Sequence, residues 1–140
     1  MTIIDKIKKS VHDATGLPVY YDSEELLNVS LDNGKMPCAY FALLQDGSLI
    51  ISNGLFRERV NIAIFFVDLT EFQPDAEENE KIIHACKLKA YKWLGAMQLD
   101  KYFTLESVTA SQRVYQEMDV TLTGYAVRVA LVEKQGECYG

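Results

Sequence analysis

The sequence predicts an α+β fold: a mainly antiparallel sheet carrying an amino-terminal helix and one long packed helix. Three observations lead there. Apolar residues recur at helical spacing near the amino terminus and again over residues 75–97. Between those stretches, β-rich runs are separated by Asp-Gly and Asn-Gly dipeptides, the residues that tight hairpin turns require. After the long helix, residues 103–132 read as a terminal pair of long strands.

The first helix covers residues 2–14. Thr2 caps it, and Ile4, Ile7, Val11 and Ala14 form one apolar stripe. Gly16 and Pro18 end it. Leu17 to Tyr21 is a short extended piece, confined by Pro18 to a sheet edge or a strand start. Asp22 to Glu25 is a polar turn. Leu26 to Leu31 stays ambiguous, because Leu27, Val29 and Leu31 alternate over too short a segment. Asp32-Asn33-Gly34-Lys35 is a further turn signal.

A three-strand meander follows. Pro37 to Leu44 is its first strand, Gln45-Asp46-Gly47-Ser48 a hairpin turn, and Leu49 to Ser52 the return strand. Asn53-Gly54 turns the chain again into Leu55–Thr70. Ile62 to Val67 is apolar at every position, as expected of a central strand covered on both sides, with Ile64 or Phe66 almost wholly buried. Pro74 stops the strand and Asp75 caps the 75–97 helix. Glu77, Glu78 and Glu80 lie at its positive end and Lys87, Lys89 and Lys92 further on, matching the helix dipole. Ile83, Cys86, Ala90, Trp93 or Leu94, and Met97 form its buried stripe. Phe103 to Met118 and Val120 to Val132 complete the sheet. Their alternation changes phase at Gly124, which predicts a β-bulge there.

Composition sets the outer limits. The chain has 140 residues, 49% of them hydrophobic and 24% charged, which is ordinary for one globular domain spanning 1–140. Its formal charge of −6 repels the nucleic-acid backbone unless the few cations cluster, and no sequence-specific nucleic acid is expected as a partner. The local cations Lys6, Lys8 and Lys9 read as the solvated face of the first helix. No apolar stretch approaches the roughly 20 residues of a membrane helix, and the opening Met-Thr-Ile-Ile-Asp shows no secretory signal. Three cysteines, Cys38, Cys86 and Cys138, fit free thiols in a reducing compartment, with Cys86 packing as a small hydrophobe.

No catalytic, metal or cofactor constellation emerges from the residues. His12 and His84 lack a second ligand at the helical spacing of zinc sites. Cys86 and His84, two apart on a helix, point to different faces. Ser10, Ser52, Ser107 and Ser111 lack a nucleophile elbow, and Asn33-Gly34-Lys35 lacks the context of a phosphate loop. The acidic run Asp75 to Glu80 has no central glycine for a calcium loop and reads as a helix start. Paired aromatics such as Tyr40-Phe41 and Phe65-Phe66 read as core packing. The expectation is a non-enzyme without cofactor.

The order of elements resembles that of the tail-terminator and neck (tail-completion) proteins of tailed bacteriophages. The likeness covers most of the chain: the amino-terminal helix, strands ending at Ile62-Ala-Ile-Phe-Phe-Val-Asp68, the helix Asp75 to Met97, and the paired strands Val108 to Met118 and Val120 to Val132. The segment from Asp119 to Val129 is similar to the closing strand of such proteins. The resemblance implies a non-enzymatic ring subunit, in a hexamer, that contacts tail-tube and head-connector proteins. It also implies assembly in the host cytoplasm and residence in the virion tail. The group offers no invariant site residues. The residues themselves suggest surfaces: Arg57, Arg59, Arg113 and Arg128 on strands, against Glu77, Glu78 and Glu80 on the helix, which would make two complementary faces for a head-to-tail ring. The alternative is a small-molecule-binding or regulatory α+β domain.

Overall fold

The computed structural model describes residues 1–22, 36–69, 76–117 and 122–138. The polar turn from residue 23 onward, the ambiguous run 26–31, the turn at 32–35, Pro74 and the Asp75 cap lie outside the described residues. So do Thr70, Met118 and Val120, expected at strand ends.

Helix α1, Ile3–Thr15, begins as the sequence dictates. The Thr2 hydroxyl accepts the Asp5 amide (3.1 Å) and the Asp5 carboxylate accepts the Thr2 amide (3.2 Å), a reciprocal capping box. Hydrogen bonding to the Asp5 carboxylate, first from the Thr2 amide and then from the Thr2 hydroxyl, holds this carboxyl below its ordinary range. Gly16 ends the helix in the left-handed region (φ 74°), its amide donating to the His12 carbonyl at 2.8 Å.

Strands β1 (Val19–Tyr21), β2 (Cys38–Leu43), β3 (Ser48–Ser52) and β4 (Leu55–Leu69) precede helix α2 (Ala76–Met97). Strands β5 (Phe103–Glu117), β6 (Leu122–Glu133) and β7 (Glu137–Cys138) follow it. The fold is α+β. Among the described residues one seven-stranded sheet runs β1-β2-β4-β6-β5, with β3 and β7 also paired to β4. Among the described residues only β1 and β2 are parallel, and every other pair is antiparallel.

β4 is the organising strand. Its register with β6 runs without a break from Arg59↔Val132 to Leu69↔Leu122. On its other edge β2 pairs from Val67 to Ile62 and β3 from Arg59 to Leu55. β2 and β3 therefore lie in line, both antiparallel to β4, and the 45–48 segment does not reverse the chain. The expected meander is a single hairpin whose first arm is broken. Residues 44–47 stand opposite Val60 and Asn61 alone. Asn61 fastens that excursion: its carbonyl accepts the Leu44 amide at 2.8 Å and its side-chain amide donates to the Asp46 carbonyl. Gly47 is needed because a Cβ there would sit 2.8 Å from the Arg59 carbonyl oxygen. The true reversal is Asn53-Gly54, both at positive φ (52° and 78°), the geometry of a type I′ turn.

Gly124 requires a second correction. The β4–β6 ladder passes through it in register with Val67, so it is no bulge on that side. The irregularities lie on β5, one of them between Val114 and Glu117, opposite Gly124 and Leu122. Glycine is demanded by closeness: a Cβ on Gly124 would fall 1.9 Å from the Phe66 carbonyl oxygen. The phase change in the sequence has another cause. Both sheet faces are apolar at this end, Val127, Val129 and Leu131 facing the helices and Leu122 joining a cluster on the opposite face.

The helices cover one face. Ile7 and Val11 of α1, and Cys86, Ala90, Trp93 and Met97 of α2, pack with Phe41, Val60, Ile62, Ile64 and Phe66. Ile64 and Phe66 are both fully buried, as expected. Trp93 donates its indole N–H to the Ser10 hydroxyl (3.1 Å), which joins the helices. On the far face Tyr20, Cys38, Tyr40, Val67 and Leu122 form the smaller cluster, with Tyr40 stacked on Phe65 at 4.7 Å. Among the described residues, no helix is long and apolar enough to cross a membrane.

Candidate assembly interface

A strand at the end of a sheet order offers a row of unpaired backbone groups. β5 is that strand here: among the described residues it pairs with β6 alone. Every residue from Glu106 to Arg113 is exposed. The stretch contains neither proline nor lysine, the residues that ordinarily blunt an edge. Register shifts fall between Leu105 and Ser107, Val108 and Ala110, and Val114 and Glu117. They leave Ala110 to Val114 as an uninterrupted segment, opposite Arg128 to Gly124.

A second surface stands across the sheet. β3 and the first residues of β4 pair to form an arm. Leu49 and Ile51 pair with Glu58 and Phe56, which places them on the helix-bearing side, yet they are 64% and 65% exposed. Leu55 at the arm's turn is also exposed.

The charged candidates distribute unevenly. Arg113 reaches from β5 to Glu80 on α2 of the same chain, contacting both carboxylate oxygens. Both partners are largely solvated, so the pair contributes little stability. Arg59 lies on the opposite face. Its Nη2 and Nε meet the Glu106 carboxylate at 2.8 and 2.9 Å, and its Nη1 donates to the Ser48 hydroxyl at 2.8 Å, so one guanidinium straps β3, β4 and β5. Arg128 is exposed on that same face, between Ala63 and Ala110 in register, and has no ion pair among the described residues. Arg57 pairs with Ile50 across the arm, its stem close to Gly136. Glu77 and Glu78 are exposed in the first turn of α2. The structure thus joins Arg113 to Glu80 within one chain and leaves the other named charges on separate surfaces.

The remaining polar groups converge weakly. A cleft of about 360 Å³ lies between α1 and the end of α2, lined by Lys9, Asp13, Asp100, Lys101 and Tyr102 among others. Its charges engage each other, the backbone or the Tyr102 ring. Lys9 binds Asp13 at 2.9 Å, which lowers the Asp13 pKa and raises that of Lys9. Asp100 accepts the amides of Tyr102 and Phe103 at 2.9 and 2.8 Å. Lys6 and Lys101 lie over the Tyr102 ring, 5.4 and 4.9 Å from its centroid.

Cys38 and Cys86 are free, buried thiols, both pushed up to about 12 by burial and then by nearby Asp68. At neutral pH they are protonated and packed, as expected of Cys86. His12 Nδ1 lies 3.1 Å from the Leu17 carbonyl, and His84 is exposed on α2.

The sequence predicts the long terminal strand pair but not the apolar arm. Leu49-Ile50-Ile51 carried a signal, since three consecutive apolar residues break the alternation of a half-solvated strand. The sequence matches no protein-family model and no curated protein.

Proposed function

We propose that this chain is a non-catalytic structural subunit that assembles into a ring at a phage or prophage tail, capping the tail tube or joining it to the head. The observation that carries this reading is the solvent-exposed outer strand β5, with eight consecutive exposed residues from Glu106 to Arg113 on a fifteen-residue edge. Such an edge pairs with a further strand more readily than it stays bare. The layout resemblance supplies the tail context: a hexamer, in the host cytoplasm during assembly and then in the virion tail. Light scattering of the protein alone, then mixed with its cognate tail-tube protein, tests the reading. A ring or a tube-bound complex is expected. A chain that stays monomeric in both samples and binds no tail tube removes it.

The cleft beside Tyr102 favours a second reading, a small-molecule-binding domain. It ranks below the first because the cleft's carboxylates and Lys9 are already engaged. A ligand that raises the melting temperature, and loses that effect on Tyr102→Ala, would reverse the order.

A further inference from the structure

We infer that the ring contact is head-to-tail strand addition, in which β3 of one copy pairs antiparallel with Ala110–Val114 on β5 of the next. The inference rests on the assembly reading above and names its surfaces.

Four observations converge on it. First, the directions agree. β5 and β4 are both antiparallel to β6, and β3 is antiparallel to β4. A sheet continued from one copy into the next therefore brings β3 against β5 in antiparallel fashion. Second, the lengths agree. β3 has five residues, and the uninterrupted part of β5 runs over the five positions 110–114.

Third, the faces agree. Ser111 and Arg113 stand opposite Val127 and Tyr125, on the helix-bearing side. Leu49 and Ile51 lie on that same side of their own copy. One register keeps both sets together: Ser48 opposite Val114, Ile50 opposite Gln112 and Ser52 opposite Ala110. Ile51 then sits beside Ser111 and Leu49 beside Arg113. Fourth, the receiving side offers apolar surface. Val108 is 46% exposed on the same face of β5. Tyr91 of α2, 50% exposed, meets Tyr125 edge-on at 6.5 Å, next to Arg113 in the register. Among the described residues Leu49 and Ile51 have no comparable cover in their own chain.

The two surfaces are different and lie on different strands of one subunit. That is the requirement for a heterologous contact, which closes into a ring when its rotation permits. A two-fold β5-to-β5 contact would pair the edge but leave the arm bare.

The test is disulfide trapping in the full chain. Cys38 and Cys86 are buried, and Cys138 is replaced by Ser. Chains carrying Ile50→Cys are mixed under mild oxidation with chains carrying Gln112→Cys. A covalent dimer should form in the mixture and not from either variant alone. Separately, Leu49→Asp with Ile51→Asp should weaken self-association by about tenfold or more while leaving the monomer's melting curve unchanged, because both side chains are exposed. A disulfide-linked dimer of the Gln112→Cys chain alone, or an oligomer seen by light scattering without the mixed disulfide, overturns this contact and leaves the assembly reading standing. A chain that is monomeric throughout, with or without tail-tube protein, overturns both.

Discussion

Gly124 and Phe66 illustrate how tightly single positions are specified. Phe66 is fully buried, its ring 6.3 Å from that of Trp93, while its carbonyl lies where a Gly124 side chain would begin. Phe66→Ala should cost about 3–5 kcal/mol in urea unfolding. Gly124→Ala should cost about 3 kcal/mol or more, because backbone rather than a flexible side chain must move. A loss under about 1 kcal/mol in either variant would contradict the packing. The thiols give a pH prediction. Their folded pKa of about 12 lies above the ordinary 9.0, so the unfolded chain releases these protons first as pH rises. Stability is thus full below pH 9 and falls between 9 and 12. Site-resolved alkylation at pH 8 should leave Cys38 and Cys86 unmodified until the protein unfolds. The sequence made such burial legible wherever an apolar residue fell on a clear stripe. It could not reveal why Gly124 is glycine, because the carbonyl that excludes a side chain belongs to a strand distant in sequence.

Among the elements, α1 is the most fully legible, since its cap, stripe and terminator are all local. Thr2→Ala should destabilise by about 0.5–2 kcal/mol. The Asp5 carboxyl, held below its ordinary value of 3.8, supports the helix above that pH and releases it as pH falls further. Amide exchange at residues 3–6, compared at pH 5 and pH 3, should show the helix start loosening first. The hairpin at Asn53-Gly54 was legible for the same local reason. The segment 44–47 was not. Asp46-Gly47 has the composition of a turn, yet its glycine answers to the passage over Arg59 and its geometry to Asn61, both in another strand. Local chemistry names the residues that bend a chain, and pairing decides whether the bend reverses it.

At the scale of the whole molecule, the acidic balance suggested that charge would hold copies together. The observed placement changes that expectation. Arg113 is engaged with Glu80 and Arg59 with Glu106 inside one chain, and the inferred contact is made of backbone pairing and apolar side chains. Self-association should therefore change little between low and high salt, whereas a contact between exposed charges would weaken as screening tightens to a few ångströms. Sedimentation across a salt series measures this directly. The long edge was legible because strand length is written in residues 103–132; the arm that complements it was not, because exposure depends on tertiary packing. Hydrogen exchange over residues 106–114, compared between dilute monomer and assembled protein, tests the central claim that β5 is the working surface. The account predicts that slow exchange extends along this segment on assembly and that the β3 amides are protected with it. An assembled state in which 106–114 exchanges as fast as in the monomer would contradict it.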